Sequence, residues 1–153
     1  MSSTDLVKQI YHSALDLLAR REHSSCELQQ KLLQRFPNDG DTIASVLMRL
    51  IDEGYQSDAR YVEVYIRSRM NKGYGAQRVR QELCRRGIDR QLLDDALSQH
   101  GNLENLLRLW NKKFKFLPKD SREKCRQVNF LRYRGFSSSE IEDLFAYLAE
   151  HDV

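Results

Sequence analysis

Three residue types are scarce in this chain of 153 residues, and each scarcity removes a class of protein. There are three cysteines, Cys26, Cys84 and Cys125, far apart and without a C-x-x-C pair, so neither a disulfide framework nor a zinc site is indicated. Each falls in a predicted helix, where it reads as a small, partly buried side chain. There are only two prolines, Pro37 and Pro118, and seven glycines, so helices can run with little interruption. Long apolar runs are missing: nothing approaches the roughly 20 residues of a membrane span. The opening Met1-Ser2-Ser3-Thr4-Asp5 lacks a basic segment followed by an apolar one, so a signal peptide is not expected and the reading is cytoplasmic.

Leu, Arg, Gln, Glu and Lys, by contrast, are abundant, and they favour helix over strand. With 41% hydrophobic and 31% charged residues the chain reads as folded and well solvated. The apolar residues Leu6, Val7, Ile10, Tyr11, Ala14, Leu17 and Leu18 recur at helical spacing. Ser24 and Glu27 make a capping box before Leu28, Leu32, Leu33 and Phe36, and Pro37 stops that helix. A third series, Ile43, Val46, Leu47, Leu50 and Ile51, ends at Gly54. The pattern then restarts twice, with Gly73, Gly87 and Gly135 as further stops. Asp89 is a cap, and Asp120–Glu123 and Ser137–Glu140 are further capping boxes.

The repeat is internal. Leu28 and Leu32 align with Val79 and Leu83, and the run Leu83-Cys84-Arg85-Arg86-Gly87 aligns with Leu131-Arg132-Tyr133-Arg134-Gly135. The expectation is an all-α fold of about nine helices in three tandem three-helix units, residues 1–56, 57–101 and 102–153. Short units of this kind bury their faces by stacking, which predicts an elongated, curved array.

The net charge of +3 is unevenly spread. Up to Ala59 there are six basic and nine acidic residues; from Arg60 to Arg90, nine and three; from Asn102 to Phe136, ten and three. From Ser137 onward there are five acids and no Lys or Arg. The two basic segments predict an electrostatic footprint for a polyanion or an acidic protein surface.

No catalytic constellation emerges. Neither G-x-x-x-x-G-K-[ST] nor G-x-G-x-x-G is present, and Gly73-Tyr74-Gly75 lies between helices, where it reads as a junction. His12, His23, His100 and His151 are scattered and read as solvated or capping, so no metal, cofactor or catalytic residue is expected. The site reading is a binding one. In the second unit it comprises Arg60, Arg67, Arg69, Lys72, Tyr74, Arg78, Arg80, Arg85 and Arg86; no acid occurs from Arg67 to Gln81. In the third it comprises Lys112, Lys113, Lys124, Arg132 and Arg134. Glycines at the Gly73-Tyr74-Gly75 corner are expected to bring the basic faces of the flanking helices together. Tyr133, between two arginines, stacks on a base or partner, or else packs on its own helix. Trp110, spaced with Leu106 and Leu107, reads as core.

The stretch Gly54-Tyr55-Gln56-Ser57-Asp58-Ala59-Arg60-Tyr61, leading through Arg67 to Lys72-Gly73-Tyr74-Gly75 and Arg78-Val79-Arg80-Gln81-Glu82-Leu83, resembles the signature of the RecX family, regulators of the RecA recombinase. Leu18-Ala19-Arg20-Arg21-Glu22-His23-Ser24 is similar to the family's first unit, and Phe130-Leu131-Arg132-Tyr133-Arg134-Gly135-Phe136 to its last. Two departures are Tyr61, where the family often has phenylalanine, and a short linker around Pro37 to Asp41. The resemblance implies a monomer without enzymatic activity that binds the RecA filament on single-stranded DNA and limits its growth or favours its disassembly. It also implies weak DNA binding and no membrane partner. Two other readings stay open. One is a helix-turn-helix DNA-binding regulator using residues 76–86 and 90–97, although Asp94 and Asp95 on the second helix would repel phosphates. The other is a helical scaffold for acidic peptides.

Overall fold

The computed structural model describes residues 2–100 and 103–151. Among them are nine helices and no strand. They are α1 (Ser3–Arg20), α2 (Ser25–Arg35), α3 (Gly40–Asp52), α4 (Asp58–Asn71), α5 (Ala76–Arg85), α6 (Arg90–Ser98), α7 (Leu103–Lys113), α8 (Ser121–Tyr133) and α9 (Ser138–His151). The expected joint between the second and third units, at residues 101 and 102, lies outside the described residues.

The helix ends follow side-chain chemistry. Ser2, Ser24, Ser57, Asp89, Asp120 and Ser137 each accept a backbone N–H from the first turn that would otherwise lack a partner. Only one of the three expected capping boxes closes fully: Glu140 N–H donates to Ser137 Oγ and Ser137 N–H donates to Glu140 Oε1. Glu27 turns to Arg21 instead, at 2.7 Å, because a guanidinium is a stronger partner than its own cap amide. Glu123 reaches one residue further back, to the amide of Lys119. The helix-ending glycines Gly54, Gly73, Gly87 and Gly135 all have positive φ, as their positions predict.

Three separate apolar clusters replace a single core. Ile10, Leu28, Leu32, Ile43 and Leu50 hold α1–α3 together; Val62, Ile66, Val79, Leu83 and Leu93 hold α4–α6; Leu106, Trp110, Leu131, Phe136 and Leu144 hold α7–α9. Each fully buried aliphatic side chain contributes about 1.5–3 kcal/mol, so each unit has its own driving force. The chain exposes 9932 Å² for a mass of 18.0 kDa. A compact monomer of that mass exposes roughly 8,000 Å², so the three units are not folded into one compact body.

Trp110 is core, as expected, and its indole N–H donates to the buried Gln127 amide oxygen at 2.8 Å. Two other expectations are corrected. Cys84 and Cys125 are exposed, and only Cys26 is partly buried, because the first two lie on the outer faces of α5 and α8. His23, of the solvated or capping alternatives, is not solvated: it is buried, at 1% exposure, against the end of α1. Its Nδ1 lies 3.0 Å from the Arg21 carbonyl and its Nε2 lies 3.2 Å from Lys31 Nζ. Burial holds its pKa below the usual histidine value.

Candidate partner-binding site

The Gly73-Tyr74-Gly75 corner joins α4 to α5, and it does more than bring those two helices together. It docks on the end of α8. Gly75 N–H donates to the Arg134 carbonyl at 2.8 Å and Gln77 N–H donates to the Gly135 carbonyl at 3.1 Å. Gly75 has no side chain to cap α5, so carbonyls of the next unit satisfy the first-turn amides. A Cβ on Gly75 would lie 2.5 Å from the Gly135 carbonyl oxygen. A Cβ on Gly135, at φ 102°, would collide with the Arg78 backbone. Close approach of two backbones is why both positions are glycine.

Tyr74 sits inside this joint. The guanidinium carbons of Arg69, Arg78 and Arg134 lie 3.9, 4.5 and 4.9 Å from its ring centre. Each such contact contributes roughly 0.5–1 kcal/mol. Glu82 grips Arg69 with two bonds of 3.0 and 2.7 Å, and it lies 3.9 Å from Arg78. Tyr74 is therefore the hub of a packed arginine cluster rather than an open stacking surface.

Most of the sequence-predicted cations of the second unit are engaged in this way. Arg60 pairs with Glu22 at 2.6 Å and donates to the carbonyls of Gly54 and Tyr55, tying the second unit to the first. Arg80 pairs with Asp94. Arg86 donates to the Tyr61 hydroxyl at 3.0 Å and lies over the Tyr65 ring. Burial raises the pKa of the Tyr65 phenol. Arg67 makes only an exposed 3.4 Å pair with Glu63, one helical turn away, which leaves it available.

The outward-facing remainder gathers in two clefts. In the first, Arg78, Arg85, Arg132 and Tyr133 come together with Gln77 and Gln81, which the charge pattern did not single out, around about 340 Å³. Tyr133 is 72% exposed, and Arg78 lies 5.2 Å from its ring centre. Of the two readings for Tyr133, the open one fits its exposure. The backbone beneath is fixed by Arg78 Nη1, which donates to the Tyr133 carbonyl at 3.3 Å. The second cleft brings together Lys72, Lys112, Lys113 and Arg134 with Arg108. Lys124 lies in neither, and its ammonium is 5.7 Å from the Phe145 ring centre.

Arginines from both α5 and α8, two amides and an exposed ring, with Glu82 as the one carboxylate of the lining and already bonded to Arg69, suit the first cleft to a strand of phosphates and unpaired bases, or to a carboxylate-rich protein surface. A helix-turn-helix arrangement is disfavoured, since α6 would enter the groove with Asp94 and Asp95, and Asp94 is bound to Arg80. The signal for the joint itself was present in the sequence as two glycine turns. What could not be read was that they meet.

Comparison with known proteins gives one family over most of the chain. The models of the first, second and third three-helix domains of RecX match residues 11–50, 57–97 and 102–145. The Regulatory protein RecX of Pseudomonas putida is 44% identical over 140 residues, covering 90% of this chain and 89% of that one. The protein of the same name from Pseudomonas fluorescens is 42% identical over 148 residues, 93% of each chain. The crystal structure of RecX from Lactobacillus salivarius superposes with a TM-score of 0.85 at 26% identity, covering 95% of this chain and 98% of that one.

Proposed function

This chain belongs to the RecX family, and from that premise we propose that it is a non-enzymatic regulator that binds the RecA filament on single-stranded DNA. It limits extension of the filament or promotes its disassembly. Recombinase, ATPase and SOS co-protease activities fall as a result. The observation that carries the reading is the joint between the second and third units, where Arg78, Arg85, Arg132 and the exposed Tyr133 share one cleft across two units.

Three separate units can reach more than one protomer of a helical polymer. Two modest contacts made at once hold far better than either alone, because the second forms at high effective concentration. Basic clefts facing DNA phosphates or an acidic filament surface predict binding that weakens with salt. The reading also implies a cytoplasmic monomer in three units, residues 1–56, 57–101 and 102–153. Among the described residues no helix is long and apolar enough to cross a membrane.

The test is a titration of this chain into RecA on single-stranded DNA. ATP hydrolysis should fall at less than one chain per RecA, because blocking a growing end or a groove affects many protomers. No change across a wide titration would sink the proposal. Arg85→Glu with Arg132→Glu should weaken inhibition by at least tenfold and Arg60→Gln should barely change it.

A further inference from the structure

The second cleft has a composition that binding to a filament does not require. It lies where the end of α4 meets α7, beside the end of α8, and encloses about 300 Å³. Lys72, Arg108, Lys112, Lys113 and Arg134 line it, and no carboxylate does. Its floor is apolar, formed by Met70, Leu109 and Phe130. Gly73 shapes it, since a Cβ there would stand 3.0 Å from the Leu109 side chain and 3.5 Å from Arg134 Nη1.

The simplest alternative use of these cations is to neutralise helix ends. Both α4 and α7 terminate at the cleft, and each C-terminus carries about half a negative charge. Arg134 satisfies one of those ends by donating to the Lys72 carbonyl at 3.2 Å. Arg108 has a partner in Glu104 at 3.6 Å, although both side chains are mostly in solvent. Setting these against five cations still leaves an excess of about three positive charges. Lys72 and Lys112 have no ion-pair partner among the described residues. Like charges held together around a hollow repel one another, so the arrangement favours an anion of comparable charge.

We propose that this cleft is a nucleotide site, in which the cations take two or three phosphate groups and the apolar floor takes a base. Met70 packs in the second unit's core and Phe130 is faced by Lys113 and Arg134, but a phosphate-rich ligand without an apolar part would still leave the apolar lining facing water. An apolar ligand without charge would leave the cations unpaired. The volume suits one nucleotide, being at the lower end of ordinary ligand pockets. The occupant is either a free nucleoside polyphosphate, or one nucleotide of a single strand, which brings the same base but one diester phosphate and must supply the others from its neighbours.

The test uses the full chain without recombinase, so its failure is independent of the filament reading. ATP is titrated at about physiological salt and followed by amide NMR shifts and by calorimetry. Shifts should concentrate at Gly73, Asn105 and Lys112. The double variant Lys72→Gln, Lys112→Gln should lose at least tenfold in affinity, both residues being exposed and free of structural bonds. Lys115→Gln with Lys119→Gln removes the same charge outside the cleft and should change affinity less than twofold. Tripolyphosphate should bind at least fivefold more weakly than ATP. Absence of ATP shifts at millimolar concentration, equal loss in both double variants, or tripolyphosphate binding as tightly as ATP would each overturn the assignment. Displacement of ATP by a short thymidine oligomer would support the site with a strand nucleotide as occupant. Persistence of ATP would support it with the free nucleotide.

Discussion

The two joints between units occupy the same architectural place and are built from different chemistry. In both, the start of a unit's middle helix rests on the glycine turn that ends the middle helix of the next. Ser24 and Gly75 hold equivalent places, as do Gly87 and Gly135. At the first joint, side chains do the work. Ser25 N–H donates to Asp58 Oδ1 at 2.8 Å, Gln56 donates both to Asp58 and to the His23 carbonyl, and Arg60 pairs with Glu22. A Cβ on Gly87 would meet only Cys26, at 3.2 Å. At the second joint the backbones bond directly and Gly75 presses on Gly135. A side-chain joint spreads its dependence over many residues and titrates. A backbone joint depends first on two glycines, and here the arginine cluster around Tyr74 adds to it.

The sharpest way to separate the joints is to add a methyl group to each. Gly135→Ala should cost about 3 kcal/mol, from backbone collision and a left-handed conformation combined. Gly87→Ala should cost about 1 kcal/mol, because only the Cys26 side chain must move, and pairing it with Cys26→Ala should recover part of that. Urea unfolding followed by far-UV circular dichroism measures both. Equal losses would break the distinction.

At the first joint Asp58→Ala should cost about 1–3 kcal/mol, no more than Gly135→Ala, because it leaves the Ser25 amide and the Gln56 side chain without their acceptor.

The pH dependence at the first joint should be smaller still. The folded state holds His23 below its ordinary pKa, so the unfolded chain binds the extra proton first. The stability His23 contributes is complete above about pH 6.5 and is lost as pH falls through its folded value. Lys31 and Arg21 oppose the imidazolium, and Glu27 partly offsets them. Melting temperatures of wild type and His23→Gln across pH 5–8 would check this; parallel curves would refute it. The smallest change is expected for Arg60→Gln, a few tenths up to about 1 kcal/mol, since the Glu22 pair is partly in solvent. That difference should shrink in high salt.

Much of the proposed binding surface was legible in the sequence as cations at helical spacing, but which of them stay unpaired was not. Arg69, Arg80 and Arg86 look identical to Arg85 and Arg132 along the chain. The first three are spent on Glu82, Asp94 and Tyr61, and their partners lie many residues away. Gln77, Gln81, Asn105 and Arg108 carry no pattern that marks them, and they line clefts only because distant helices close around them. His23 gave no sign of burial, because the residues bonded to it, Lys31 on α2 and Gln56 after α3, are brought to it only by the fold.

By itself the sequence determined what local chemistry can determine: helical periodicity, caps from short polar side chains, and stops at glycines that accept positive φ. It also set the threefold repeat and the family, since both are written in spacing and identity. Only the tertiary structure decided that two glycine turns meet backbone to backbone, that Tyr74 is enclosed while Tyr133 is open, and which arginines remain for a partner. Those outcomes depend on distances between residues far apart in the chain, and no local preference encodes them.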